Sequence, residues 1–290
     1  MNKDYKFIAV DALNLFYRHN YTIGHLTTSK GIPSGALYGS LRGILALTKK
    51  FEPKYMAICF EGKNSKDRRQ SIDENYKANR SSDEPVNGFW NQLNEFEYIL
   101  KLMGMPCIRV DGQEADDTLS DLAHTFTGRG MDGNMLVVSE DHDMYQCLRY
   151  DVDMYRSMKK EIITLHDFEE WYDGIPPWRY PEIQALTGCD TGNVEGIRGI
   201  GDKTAKKILL DCETIAEVAQ HPKVKDHKDQ FLRNFELVKH DSSTSKIDLT
   251  HLSDFKLEDK MLKVIIYNRL GMWEFNSILK TLEDQNYGWY

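Results

Sequence analysis

The stretch GQEADDTL, Gly112 to Leu119, places Glu114, Asp116 and Asp117 within one helical turn. Like charges that close, in a partly buried site, must be relieved by protonation or by a bound cation. The habit recurs along the chain. Asp11 follows the apolar run FIAV (7–10), Glu61 follows MAICF (56–60), the Glu114 group follows CIRV (107–110), and Asp141 with Asp143 follows MLVV (135–138). If these runs are parallel strands of an open α/β sheet, their carboxyl ends share one rim, the place where such sheets bind ligands. Acids also favour the first turn of a helix, where each contributes roughly 0.3–1 kcal/mol against the macrodipole. That reading accounts for one such group more easily than for four. Hard oxygen donors with no His or Cys at ligand spacing select Mg²⁺ or Mn²⁺ over zinc.

The elements that must position these acids are short apolar runs alternating with amphipathic segments, which predicts an α/β fold with a mostly parallel sheet flanked by helices. EADDTLSDLAHTF reads as a helix start that buries Ala115, Leu119, Leu122, Ala123 and Phe126. A chain of 290 residues, 41% hydrophobic, can bury one large core and a smaller satellite region. No apolar stretch approaches the roughly 18 residues of a membrane span, and no signal segment is recognisable, so a cytoplasmic protein without membrane contact is expected. Five widely spaced cysteines without a Cys-x-x-Cys pair indicate neither a disulfide framework nor structural zinc.

A net charge of −8 argues at first against nucleic acid. If the rim acids are committed to cations, the remaining surface is near neutral and can carry basic patches. One candidate is the long segment from Glu61 to Trp90, with Lys63, Lys66, Arg68, Arg69, Lys77 and Arg80 followed by Phe89 and Trp90. A basic loop beside a carboxylate cluster suggests a phosphate-bearing substrate. A second candidate is NVEGIRGIGDKTAKKILL (193–210). Its glycines allow a tight turn, Asp202 can cap, and lysines decorate a helix start, a combination suited to holding phosphates without reading bases. The lysines and histidines of residues 221–240 read chiefly as a solvated helix face, and residues 241–260 as a linker to a final helical segment.

Taken together, VDALNLFYR, CFEGK, NYKANR (75–80), GQEADD (112–117), SEDHDMYQ (139–146), ALTG (185–188) with GIRGIGDKTAKKIL, and WEFNSIL (273–279) resemble the 5′-nucleases: the 5′→3′ exonuclease part of bacterial DNA polymerase I and phage flap endonucleases. The resemblance runs from about residue 5 to about residue 280. It implies a PIN-like nuclease core over residues 1–180 with a helical arch at about 63–100. A helix-hairpin-helix region and C-terminal helices would follow over 181–290. It further implies a free-standing, monomeric enzyme of a bacterial or phage-infected cell that cuts branched or 5′-ended duplex DNA, in replication or repair. Asp11, Glu114, Asp116 and Asp117 would then hold a first divalent ion, Mg²⁺ or Mn²⁺, with Glu61 reaching it through water and Asp141 and Asp143 turned towards a second. Lys77 and Arg80 would contact the scissile phosphate, with Asp11 and Asp116 completing the catalytic set. Tyr76 and either Arg68 or Arg69 would meet DNA. Gly199, Gly201, Lys203, Thr204 and Lys206 would hold duplex backbone, and the carbonyls of Val194, Ile197 and Ile200 would bind K⁺.

The chain departs from the family's Gly-Asp-x-x-Asp-Asn with Gly188-Cys189-Asp190-Thr191-Gly192-Asn193. Thiolate is a poor Mg²⁺ ligand and glycine offers none, so a weak or altered second site is expected, with Asp190 as a substitute only if the loop shifts. A catalytically weakened binder of branched nucleic acid, or a nuclease acting on RNA/DNA hybrid, is the alternative.

Overall fold

The computed structural model describes residues 3–78, 88–130, 132–241, 255 and 263–284. Six strands form the main sheet: β1 (Tyr5–Asp11), β2 (Tyr55–Phe60), β3 (Cys107–Arg109), β4 (Asn134–Val138), β5 (Val152–Arg156) and β6 (Glu161–Ile163). Their order is β3-β2-β1-β4-β5-β6, with every neighbouring pair parallel except β5 with β6. All four runs expected as strands are strands. The last two strands were not anticipated, because the charged residues in VDMYR and EII leave too little apolar period to stand out.

β1, β2 and β4 are buried nearly throughout, which is why they read as continuous apolar runs. Alternate residues feed two cores. Phe7 and Ala9 face one side, Ile8 and Val10 the other. Packed on the Ile8 side are α1 (Ala12–Ile23), α2 (Gly35–Phe51) and α4 (Phe89–Leu102), joined by α11 (Lys263–Met272) and α12 (Asn276–Asp284). The Phe7 side takes α5 (Ala115–Gly128), α6 (Leu165–Trp171), α7 (Tyr180–Thr187), α8 (Asp202–Asp211), α9 (Ile215–Gln220) and α10 (Lys228–Val238). Residues beyond 180 thus share both cores with the sheet. The remaining helix, α3 (Asp67–Ile72), lies within the expected arch, of which residues 79–87, including Arg80, lie outside the described residues.

The far end of that segment needs correction. Phe89, Leu93, Phe96, Ile99 and Leu100 of α4 are core residues, and Phe16 meets Phe89 edge-on at 5.1 Å. The apolar stripe therefore makes α4 a sheet-covering helix. Of the expected linker, Asp241 and Phe255 are described, and Phe255 is buried 5.5 Å from the Phe7 ring.

Candidate active site

The strand order reverses direction at β1, which has β2 on one side and β4 on the other, so the crevice at their carboxyl ends is the natural ligand site. A cavity of about 480 Å³ opens there, lined by Asp11, Glu61, Asp116, Asp141, Asp143 and Lys77. Local structure explains how each acid is aimed. Asp11 ends β1 and caps α1, accepting from the Asn14 amide at 2.9 Å. Asp141 caps the 3₁₀ turn His142–Cys147, accepting from the Asp143 amide at 3.0 Å. Ser139 donates to Asp11 at 3.4 Å, and the Glu140 amide donates to Asn14 Oδ1 at 3.1 Å, tying the β1 and β4 ends together. Helix capping and rim placement are here the same fact.

Burial and mutual repulsion work on these groups together. Burial, then the charges of Asp116 and Asp141, push Asp11 up to about 7. Burial, then Asp116 and Glu114, push Glu61 up to about 8. Burial, then Asp141, push Asp143 up to about 7. For Asp116 the upward push of burial is outweighed by Arg69 and Lys77, which hold its carboxyl below the ordinary range. Three raised carboxyls bind more protons folded than unfolded between their ordinary values near 4 and about 8. Stability of the metal-free protein must therefore fall as pH rises through that window. In EDTA, the urea midpoint is expected to be lower at about pH 8 than at about pH 5, and added Mn²⁺ should restore it chiefly at the higher pH, because cation binding displaces those protons.

The three acids of the α5 start do not play one part. Glu114, Asp116 and Asp117 have carboxylate oxygens within 4.8 Å of one another, yet of the three only Asp116 lines the cavity. Asp117 is buried and takes a bidentate grip from Arg69, at 2.9 and 2.7 Å. Glu114 accepts from Arg69 at 2.5 Å, from the Tyr76 hydroxyl at 3.0 Å, and from Lys77 Nζ. Two expected DNA contacts are corrected by this network. Arg69 is 2% exposed, its guanidinium also capping the end of α10 by donating to the Leu237 and Lys239 carbonyls. Tyr76 is 6% exposed, its hydroxyl spent on Glu114. Arg68 is half-buried, donates to the Glu236 carbonyl and lies 3.7 Å from Asp241. Like charges at 114 and 117 drew a guanidinium inward, since burying them unpaired would be prohibitive.

His240, expected on a solvated face, is buried beside Asp116 and Asp143, around a cavity of about 10 Å³. No spacing in the sequence marks it. The cleft also takes Asn14, Tyr17 and Arg18 from α1, which the VDALNLFYR stretch could have offered as candidates, and Tyr21 one turn further on.

The loop that differs from the expected acidic pattern lies against Asp143. Cys189 Sγ is 3.8 and 3.9 Å from the two Asp143 oxygens, and Gln184 donates to Asp143 at 2.5 Å. Asp190 is exposed and lines an adjoining groove of about 670 Å³ with Asp141, Asp143, His142 and Arg156. The two-residue strands β7 (Gly188–Cys189) and β8 (Val194–Glu195) form a hairpin between α7 and α8. Gly199 turns with φ of 84°, a conformation open to glycine at little cost. Gly201 precedes α8, its carbonyl accepting from Thr204 and Ala205. Lys203 is exposed, whereas Lys206 is folded back, donating to the Trp171 carbonyl, 3.5 Å from Asp173 and 4.9 Å from the centre of the Tyr172 ring. That folding corrects its expected place on DNA. Among the expected potassium carbonyls, that of Ile197 accepts from the Ile200 amide at 3.0 Å.

A divalent cation fits the main cavity on its own chemistry. The donors are carboxylate oxygens, they repel one another without a counter-charge, and Glu61 Oε2 is buried with no hydrogen-bond partner. Around Asp143 the fit is poorer, because the Cys189 thiol stands where a further hard donor would be needed.

Residues 6–173 match the family model for the 5′-3′ exonuclease N-terminal resolvase-like domain. The chain is 29% identical to a 5′-3′ exonuclease of Aquifex aeolicus, covering 94% of each. It is 30% identical to DNA polymerase I of Caldicellulosiruptor bescii, covering 96% of this chain and 33% of the polymerase. Its fold superposes on the T5 D15 protein, co-crystallised with metal ions, with a TM-score of 0.68 at 17% identity, covering 94% of this chain and 98% of that one.

Proposed function

Since the chain belongs to the 5′-3′ exonuclease family, we propose that its carboxylate cleft hydrolyses phosphodiester bonds near the 5′ ends of branched or nicked duplex DNA, with divalent metal. The single observation that carries this reading is the convergence of acids from four strand ends on one cavity that also holds Lys77. When bound, divalent cations supply Lewis acidity at the phosphate and make water acidic enough to act near neutral pH. Asp11 and Asp116 would hold the first ion, with Glu61 and Asp141 at its border, and Mg²⁺ is the expected metal. Asp143 would belong to a weaker second position. Lys77 brings positive charge to where the phosphate's charge develops, and Arg80 is proposed as its companion. Glu114 and Asp117 act through Arg69, Tyr76 and Lys77, by positioning them.

Lys203, Thr204 and the glycine turn at Gly199 and Gly201 would hold duplex phosphates, with K⁺ on the nearby carbonyls as the family resemblance implies. We further propose a monomer acting in the cytoplasm; no described helix is long and apolar enough to cross a membrane. A weakened, chiefly binding role is favoured by one observation, the thiol of Cys189 beside Asp143. RNA/DNA hybrid belongs in the same test. Cleavage-site mapping on a labelled 5′-flap duplex, a hybrid and a small phosphate ester, with Mg²⁺, Mn²⁺ and EDTA, decides among these. Cutting near the branch that needs metal supports the nuclease, and uncut DNA at every metal concentration overturns it.

Asp143→Asn and Asp190→Asn separate the roles of the second position. Asp143 is largely shielded inside the cleft, whereas Asp190 is exposed at a neighbouring groove. Asp143→Asn is expected to lower the single-turnover rate about a hundredfold, within the range for losing one preorganised electrostatic group. Asp190→Asn should change it by only about twofold. Equal, large losses in a Mg²⁺ titration would show that Asp190 has moved in as a ligand.

A further inference from the structure

Lys77 has φ of 57°, in the left-handed region that a lysine rarely adopts. Such a residue persists only where its surroundings over-determine it. They do so here from a distant part of the chain. The Lys77 amide donates to the Gly192 carbonyl at 2.9 Å, and Asn193 Nδ2 donates to the Asn75 carbonyl at 2.8 Å. That Asn75 carbonyl also closes the turn by accepting from Ala78 at 3.0 Å. Asn193 is itself left-handed, with φ of 56°, a conformation asparagine tolerates. Gly192 is buried against the same turn, so that a Cβ placed on it would meet Tyr76 Cε2 at 3.4 Å and Val194 Cγ2 at 3.3 Å. Two strained turns are therefore hooked to each other by reciprocal bonds. One carries the lysine that lines the cleft and donates to Glu114 behind it, and the other belongs to the hairpin between α7 and α8.

We infer that Gly192 and Asn193 are positioning residues, a clip that sets the backbone of Lys77 and hence the placing of its ammonium at the mouth of the metal cleft. The inference rests on the reading of Lys77 as a phosphate-contacting group. It gives the Cys189–Asn193 loop a task independent of metal ligation, one carried by the Gly192 carbonyl and the Asn193 side-chain amide. It also joins the hairpin mechanically to the cleft, because no side chain or solvent intervenes between the two turns at the Lys77 amide.

Asn193→Gly keeps the left-handed backbone and deletes the amide donor, and Asn193→Asp keeps the shape while replacing the donor by an acceptor. Either variant is expected to cut a 5′-flap duplex about tenfold more slowly in single turnover, since small misplacements of a reacting group carry losses of that order or larger. Affinity for the same duplex in Ca²⁺ should stay within about twofold. In a Lys77→Ala background, Asn193→Gly should cost nothing further, because residues acting as a unit are not additive. Wild-type rates for both variants, or a full multiplicative loss on top of Lys77→Ala, would overturn the clip. Amide hydrogen exchange separates this from the functional reading. Exchange at the Lys77 amide should quicken in Asn193→Gly whether or not the protein cuts DNA, and unchanged exchange would refute the clip. Quickened exchange in Asn193→Gly, together with a wild-type protein that cuts nothing, would instead refute the role given to the cleft.

Discussion

Asp116→Asn is expected to reduce metal-dependent cleavage on the order of a thousandfold, at the upper end of what one preorganised electrostatic group contributes. The size follows from how Asp116 differs from its neighbours. It alone of the three acids at the α5 start borders the cavity. Its carboxyl is held below the ordinary range by Arg69 and Lys77 against the effect of burial, so it stays charged where Asp11, Glu61 and Asp143 share the strain. An asparagine retains the oxygen that accepts from the Asp117 amide at 2.7 Å, so the helix start should survive. Because Arg69 and Lys77 favour that charge in the folded state, Asp116→Asn also removes an attraction, and the metal-free variant should show no higher a urea midpoint than wild type at about pH 8. A variant that folds and is inactive marks a residue selected for charge. Cleavage within about tenfold of wild type would remove Asp116 from the reacting centre.

Arg69→Met should have the largest effect on stability, about 3–5 kcal/mol, the usual result of removing one partner from a buried ion pair. Glu114 and Asp117 are 1% and 2% exposed, and Arg69 is the cation that engages both. The same guanidinium ends α10 by donating to two carbonyls, so the loss reaches the core formed by α7 and α10. Lysine is a poor replacement, since one ammonium cannot reproduce a forked, bidentate grip. Urea denaturation, or loss of soluble protein at 37 °C when the remaining margin is small, measures the effect. A variant with the wild-type midpoint and weakened DNA binding would return Arg69 to the surface role that its sequence context suggested.

The strand ends and their acids were legible because the code for them is local. An apolar run of four or five residues followed by Asp or Glu states both the strand and its capped exit, and parallel order places such exits on one rim. Residues from Phe89 to Leu100 misled because the family resemblance extends the arch to about residue 100, and contacts such as that of Phe89 with Phe16 show the stripe to be core. Strands β5 and β6 were hidden because Asp153, Arg156 and Glu161 interrupt their short apolar runs and leave no clear period.

By itself, the sequence determined the α/β order, the oxygen-only donor set, the family and the loss of acids around Cys189 and Gly192, all properties of residue type and spacing. Tertiary structure alone decided which acid of Glu114, Asp116 and Asp117 faces the cleft, that Arg69 and Tyr76 turn inward, that Lys206 folds onto Trp171, and that His240 lies behind the carboxylates. Successive residues on a helix point about 100° apart. Which direction meets solvent, and which meets a guanidinium arriving from another helix, depends on what packs there, and that is written in segments far away along the chain.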